Sequence, residues 1–243
     1  RCPPALRLAC LAALLKSTLS LRALANHARA VQRELDARDL PAAQRAVQRL
    51  VSRDAAQLDA GHIASAAIES VAESTLDGIV APLFWYALLG LPGAVAYRFV
   101  NTADAMVGYH GHYEYFGKPA ARVDDVLNWV PARVSAVLLT AAAFLTRLDA
   151  HSAWRVALAQ HGRTASPNAG WAMATAAGAL GVWLEKPGQY RIGQAPDEET
   201  PQPGGTYPRA TEPGPSDIGR AVQLMSVAAV LVLGLALLVP RRW

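Results

Sequence analysis

Between Arg53 and Arg98 the sequence places Asp54, Asp59, Glu69, Glu73 and Asp77 without a single Lys or Arg, then runs into the apolar stretch IVAPLFWYALLGLPGAVAY. Carboxylates without local counter-ions beside a membrane-grade segment point to a cation site. Glu69, Glu73 and Asp77 recur at i, i+4 and i+8 on one helix face, where like charges repel slightly. Something positive has to compensate them. Asn101 and Asp104 follow the apolar stretch, and Asp124, Asp125 and Asn128 form a second acidic group at i, i+1 and i+4, ahead of the run VSAVLLTAAAFL. Clustered carboxylates with Asn oxygens suit Mg²⁺, which keeps waters and bridges to substrate phosphates instead of sitting in a closed protein cage. Zinc fits less well, because His110 and His112 lack a third ligand at metal spacing and read as surface residues.

Such groups need elements to hold them. Ile68, Val71, Ala72, Thr75, Leu76 and Ile79 follow the i, i+3, i+4 pattern of one buried stripe and predict a helix starting near Asp59, with the acids on a separate face. If residues 79–97 formed one straight span, these acids and the Asn101–Asp104 pair would lie on opposite sides of a bilayer. Gly90-Leu91-Pro92-Gly93 favours a turn instead and predicts a helical hairpin dipping into the membrane. Counted from that turn, Asp77 and Asp104 each lie roughly 20 Å along their arms at 1.5 Å per residue, which brings the two acids level.

The general composition agrees: 52% hydrophobic and 17% charged residues in a chain of 243 are too apolar for an ordinary soluble domain. We therefore expect an all-α, polytopic membrane helical bundle with broken or re-entrant segments, organised as one integral-membrane domain over 1–243. Apolar stretches recur at 2–15, 79–97, 134–146, 169–184 and 221–239, of which the second and last are clearly long enough to span. Residues 17–52 read as two amphipathic helices forming a small cytoplasmic region, with Leu24, Ala28, Val31 and Leu35 on one face, Asp39 capping the second helix and Pro41 in its first turn. No chemistry is expected of that region. The core of the site is expected in 53–184. Residues 185–219, rich in Pro, Gly and acids, predict a loop or mobile flap, and 220–243 a C-terminal transmembrane helix, anchored on the cytoplasmic side by Arg241 and Arg242. Cys2 and Cys10 read as packing residues. The first residue is Arg, and RCPPALRLACLAALL, bracketed by Arg7 and Lys16, reads as a truncated membrane helix with an upstream segment missing. The net charge of +4 comes from scattered arginines rather than a basic cluster, which argues against nucleic acid as a partner.

The runs VSRDAAQLD, AAIESVAESTLDGIVAPLFWYALLGLPGAVAYRFVNTADAMVGY, YFGKPAARVDDVLNWVPAR and SPNAGW resemble, in order and spacing, the adenosylcobinamide-phosphate synthase (CobD/CbiB) family of cobalamin biosynthesis, continuously over about residues 16–184. The resemblance implies an integral membrane enzyme that joins (R)-1-amino-2-propanol, or its O-phosphate, to the propionate of adenosylcobyric acid as an amide. It carries the family's polar positions onto Arg53, Asp54, Glu69, Glu73, Asp77, Asn101, Asp104, Asp124, Asp125, Asn128, Arg133, Ser166 and Asn168. Amide formation from a carboxylate is uphill in water, so ATP and Mg²⁺ are implied, although the chain holds no GxxxxGK[ST] phosphate loop. On that footing Asp77, Asp104, Asp124 and Asp125 face the magnesium. Glu73 is the candidate base, with Glu69 and Asp77 beside it in the catalytic group. Arg53 and Arg133 grip phosphate or corrinoid carboxylates, and Asp54, Asn101, Asn128, Ser166 and Asn168 complete the substrate-binding set. The expected partners are the corrinoid, the amino alcohol, the lipid bilayer and other late enzymes of the cobalamin pathway. The expected location is the inner cell membrane, multi-pass, with the site facing the cytoplasm. Ser74 stands where the family usually has Asn. Read without the family, Arg53 and Asp54 could simply cap and pair at a helix junction, and SPNAGW could be a turn starting a helix. A membrane prenyltransferase holding Mg²⁺-diphosphate and a divalent-cation transporter are the rival readings. The transporter needs acids along a pore, whereas here they stand at segment ends.

Overall fold

The computed structural model describes residue 3 and residues 12–107, 114–193 and 210–238. Expectations for Cys2, Cys10, His110, His112, Arg241 and Arg242 lie outside the described residues. Among the described residues the bundle is all-α apart from one two-stranded hairpin. Helix α1, Leu21–Asp36, buries Leu24, Ala25, Ala28, Val31 and Leu35 and turns its arginines outward. Helix α2, Leu40–Val47, starts at Asp39, whose side chain accepts the Ala42 N–H at 2.9 Å, with Pro41 in the first turn. Both elements match the amphipathic pattern.

Helix α3, Ala60–Thr75, occupies the centre and packs against α1, α7, α8 and strand β1, the last three defined below. The whole predicted stripe is buried: Ile68, Val71, Ala72, Thr75, Leu76 and Ile79. Asp59 caps α3 by accepting the His62 N–H at 2.8 Å, and Asp149 caps α6 by accepting the Ser152 N–H at 2.8 Å. Those backbone N–H groups hold both carboxyls below the usual carboxylate range. A depressed carboxylate contributes stability that is fully present above its unfolded value of about 3.9 and is lost as pH falls through the lower folded value. Asp59→Ala is therefore expected to lower stability by about 1 kcal/mol at pH 7, with the gap to wild type closing below pH of about 4; thermal melts at the two pH values check both.

A π turn, Leu76–Val80, links α3 to α4, Ala81–Val107. Gly90, at φ 69 and ψ −160, breaks α4. Its two arms fold back on each other: the Tyr97 hydroxyl lies 3.4 Å from Asp77 Oδ1, whereas twenty residues of straight helix would hold them about 30 Å apart. The predicted hairpin is thus present. Helix α5, Glu114–Leu145, packs against α4 and carries the second acidic group in its first half. The 134–146 run is the second half of this long helix and not a separate element. Helices α6, Ala150–Gln160, and α7, Ala169–Leu180, pack tightly. Every residue of α7 is buried, and a Cβ at Gly178 would meet the Ser152 carbonyl oxygen at 2.5 Å, so the 169–184 stretch is a small-residue core helix and not a membrane span. Gly181, at φ 70, ends α7 in the left-handed conformation.

The stretch read as a loop from 185 contains structure at its start. Strands β1, Leu184–Lys186, and β2, Tyr190–Ile192, pair antiparallel in the register Leu184↔Ile192, Glu185↔Arg191 and Lys186↔Tyr190. Helix α8, Pro215–Leu238, begins five residues before the expected start at 220 and packs on α1, α3 and α5. Among the described residues three helical segments are long and apolar enough to cross a membrane: Ala60–Met106, which Gly90 interrupts, Lys118–Leu145 and Pro215–Leu238. Their outward faces carry exposed Leu88, Leu89, Phe99, Val137, Phe144, Val230 and Leu237, the surface that lipid would cover.

Candidate functional site

The hairpin at Gly90 decides where the acids meet. A cavity of about 600 Å³ is lined by Glu73, Ser74 and Asp77 from α3 and the π turn, and by Arg98, Asn101 and Asp104 from the returning arm of α4. Groups that stand apart in sequence thus share one wall. The π turn lets this happen locally, because its wider loop moves Asp77 out of strict α-helical register with Glu73. Gly78 in the same turn packs against Ser20, and the Ser20 N–H donates to the Gly78 carbonyl at 3.2 Å. Residues 17–52, of which no chemistry was expected, complete the cavity through His27, Arg49 and Leu50. Arg98 near Asp77 and Lys186 near Glu73 are the positive groups that stand by the lone acids, and Arg49 lines the same cavity as those acids. Glu73 is exposed to the cavity, and Asp77, Asn101 and Asp104 are half-buried along it.

Behind this wall runs a hydrogen-bonded chain of polar groups. Asn128 Nδ2 donates to Asp124 Oδ2 at 2.9 Å, Asn101 Nδ2 donates to Asp124 Oδ1 at 3.3 Å, and Arg98 Nη1 donates to Asn101 Oδ1 at 3.1 Å. The Tyr97 hydroxyl, 1% exposed, closes the chain by donating to Asn128 Oδ1 at 2.9 Å. Tyr97 went unnoticed in sequence because it sits inside an apolar run. A buried phenol oxygen nonetheless needs a partner, and its position four residues before Asn101 is the signal that finds it.

Asp124 and Asp125 point to different places, since neighbouring residues on a helix diverge by about 100°. Asp125 accepts from Asn168 Nδ2 at 3.3 Å, and its carbonyl oxygen accepts from the same amide at 2.9 Å. Ser166 Oγ accepts the Asn168 and Ala169 N–H groups at 3.3 and 3.4 Å, so SPNAGW does start α7 as a capping turn while Asn168 ties it to α5. Arg133 belongs to this second cluster. Its guanidinium stacks 4.0 Å from the Trp129 ring centroid and 5.1 Å from that of Trp171, and Nη1 donates to the Trp129 carbonyl at 2.5 Å. It lines neither cavity formed around the α3 acids. Trp171 is buried and stacks on His161 with centroids 4.0 Å apart.

Glu69 and Arg53 line a smaller cavity of about 300 Å³ that shares Leu50, Ser70 and Glu73 with the large one. Arg53 Nη2 lies 3.6 Å from Glu69 Oε1, Ser65 Oγ donates to Oε1 at 2.7 Å, and the Tyr190 hydroxyl donates to Oε2 at 2.6 Å. Burial, with the Glu69 carboxylate beside it, pushes the Tyr190 phenol up, so it stays a donor. Asp54 is exposed, and its carboxylate accepts the Ala56 N–H at 2.9 Å within a local turn. Among the described residues no three His, Cys, Asp or Glu side chains form a closed metal cage. The carboxylates of Glu73, Asp77 and Asp104 on this wall are hard oxygen donors, the donor chemistry that suits a cation which keeps its own waters.

The profile of the CobD/Cbib protein family matches residues 2–225. The chain is 50% identical over 182 residues to "Cobalamin biosynthesis protein CobD" of Dehalococcoides mccartyi, covering 75% of this chain and 59% of that one. It is 45% identical over 185 residues to "Probable cobalamin biosynthesis protein CobD" of Methanothermobacter thermautotrophicus, 76% and 62% of the two chains. It is 42% identical over 220 residues to "Cobalamin biosynthesis protein CbiB" of Salmonella typhimurium, 90% and 67%. The chain thus spans about three fifths of the length of the first two relatives. No solved structure matches.

Proposed function

The chain belongs to the CobD/Cbib protein family, and from that premise we propose that it acts in cobalamin biosynthesis as an amide-forming ligase. It joins (R)-1-amino-2-propanol, or its O-phosphate, to the propionate of adenosylcobyric acid, giving adenosylcobinamide or its phosphate. The observation that carries this reading is the single cavity onto which the Gly90 reversal brings Glu73, Asp77, Asn101 and Asp104. A transporter would need those acids strung along a pore. They are grouped on one wall instead, beside two arginines that would hold anions.

Mg²⁺ and ATP, when bound, would supply charge neutralisation and the phosphoryl group that activates the carboxylate. Asp77 and Asp104 are the residues that would hold the cation. Glu73, exposed to the cavity with Ser70 and Ser74 beside it, takes the proton that the incoming amine must lose as its nitrogen bonds to the acyl carbon and the C–O bond to the activating phosphoryl group breaks, releasing inorganic phosphate. Arg49 and Arg98 hold anionic oxygens on the opposite charge balance. Asp124 acts as a positioning residue: held by Asn101 and Asn128, it fixes the amide of Asn101 at the cavity edge. We place the protein in the inner cell membrane as a multi-pass enzyme with this cavity on the cytoplasmic side, which rests on the three apolar helical segments and on soluble delivery of the corrinoid.

The test is complementation of a host blocked between cobyric acid and cobinamide, with cobinamide detected directly, using this chain and an upstream-extended version. Product is expected from the wild-type sequence, reduced by about 10- to 100-fold in Asp124→Ala, as for other residues that orient a polar site from behind. An extended version well expressed in the membrane that makes no cobinamide would overturn the reading.

A further inference from the structure

The smaller cavity carries a second, cationic charge pattern beside the amide-forming wall, with Lys186 close enough to Glu73 to feel its charge. Arg53 and Lys186 both line it, on the side away from Asp77 and Asp104. Arg53 gives Nη2 to Glu69, but its Nη1 is buried and has no acceptor. A guanidinium N–H shut off from water without an acceptor is costly unless a ligand oxygen fills the place. Glu69 is already engaged, since its two oxygens accept from Ser65 and Tyr190.

Lys186 is held over this cavity by strand register. It pairs with Tyr190 across the hairpin, and directly opposed residues of an antiparallel pair project to the same face. The Tyr190 hydroxyl is bonded to Glu69 at 2.6 Å, and the Glu185 N–H donates to Ser65 Oγ at 2.8 Å, so the hairpin is fastened to α3 with that face inward. Glu73, the acid that meets the amine, stands in the wall common to both cavities. A short molecule with an ammonium at one end and an anion at the other finds the matching charges on either side of Glu73.

Resting on the function proposed above, we propose that the Arg53–Lys186 cavity is a phosphate subsite which receives the phosphate monoester of the amino-alcohol substrate, and that Lys186 sets the preference for the phosphorylated over the free amine. A nucleotide offers the same phosphate chemistry, but about 300 Å³ lies at the small end of ligand pockets and suits the monoester.

The test uses the full chain purified in lipid nanodiscs, with thermal shift read against (R)-1-amino-2-propanol O-phosphate, the free amino alcohol, inorganic phosphate and ATP. Wild type is expected to be stabilised by the phosphorylated amine more than by the free one. Lys186→Met is expected to weaken the apparent affinity for the phosphorylated amine about tenfold, Lys186→Glu more, and Lys186→Arg less than Lys186→Met, with the kcat/KM ratio of the two amines falling in parallel. Unchanged affinity for the phosphorylated amine in both Lys186→Met and Lys186→Glu would overturn the subsite, as would a loss confined to ATP. Lys186-dependent binding without any amide product would leave the subsite standing and remove the synthase reading. Amide product whose amine preference ignores Lys186 would do the reverse.

Discussion

Glu73→Gln is expected to lower kcat for amide formation by about 10²- to 10⁴-fold, the usual contribution of a positioned proton acceptor, with a much smaller change in KM. The substitution keeps the shape and removes the charge together with the ability to accept a proton. Glu73 makes no hydrogen bond to another side chain that holds the fold together, and its carboxylate is exposed to the cavity it shares with Asp77 and Asn101. Abundance and thermal midpoint should therefore stay near wild type. Steady-state kinetics on membranes carrying matched amounts of the two proteins decide it, and a variant with unchanged kcat would remove Glu73 from the proton-transfer role.

The neighbouring acid gives the contrast that makes this result informative. Glu69 is one turn away and carries the same side chain, but it is buried and bound by Ser65, Tyr190 and Arg53. Losing its charge would leave the Arg53 guanidinium without the ionic partner that Glu69 provides in a desolvated place, which is a stability defect before it is a kinetic one. The same helical face thus carries one acid that holds the hairpin and one that is free to meet substrate. Spacing alone could not separate them, because i and i+4 positions look alike until the opposing element is known.

That contrast marks where sequence reasoning reaches and where it stops. Leu24, Ala28, Val31 and Leu35, the α3 stripe, the cap at Asp39 and the helix start near Asp59 were legible because they depend on contacts within a turn or two of one helix. The reversal at Gly90 was legible because Gly and Pro restrict the backbone locally. Tyr190 and Lys186 were hidden: three-residue strands are too short to show alternation, and their composition reads as loop. The parting of Asp124 from Asp125 was equally hidden, since only the packing of α5 between α4 and α7 sends one toward Asn101 and the other toward Asn168. Arg133 is the sharpest case. Its charge suggested an anion clamp, and only the fold shows that its guanidinium face stacks on two tryptophans, apart from the cavities around the α3 acids.

Gly90→Val is expected to abolish cobinamide formation and to lower stability by about 1–3 kcal/mol, the strain of forcing a side chain into a backbone region that glycine alone occupies readily. At φ 69 and ψ −160 a Cβ meets the local backbone whatever room the surroundings offer, and a β-branched residue is worst placed to adapt. The corner has no slack, because a Cβ on Gly93 would already lie 2.6 Å from the Trp85 carbonyl oxygen on the first arm. Relief must come from opening the hairpin. Opening moves Tyr97 off Asp77 and Asn128 and Asn101 off Asp124, and it takes Asp104 away from the wall it shares with Glu73. Pro92→Ala, two residues on at an exposed position, tests whether the effect is conformational and not a general intolerance of the turn: it should shift stability by no more than about 0.5 kcal/mol. Thermal melts and product assays on the two variants measure both quantities. If Gly90→Val stays active and as stable as Pro92→Ala, the reversal at Gly90 does not assemble the site, and the acids on the two arms of α4 act independently.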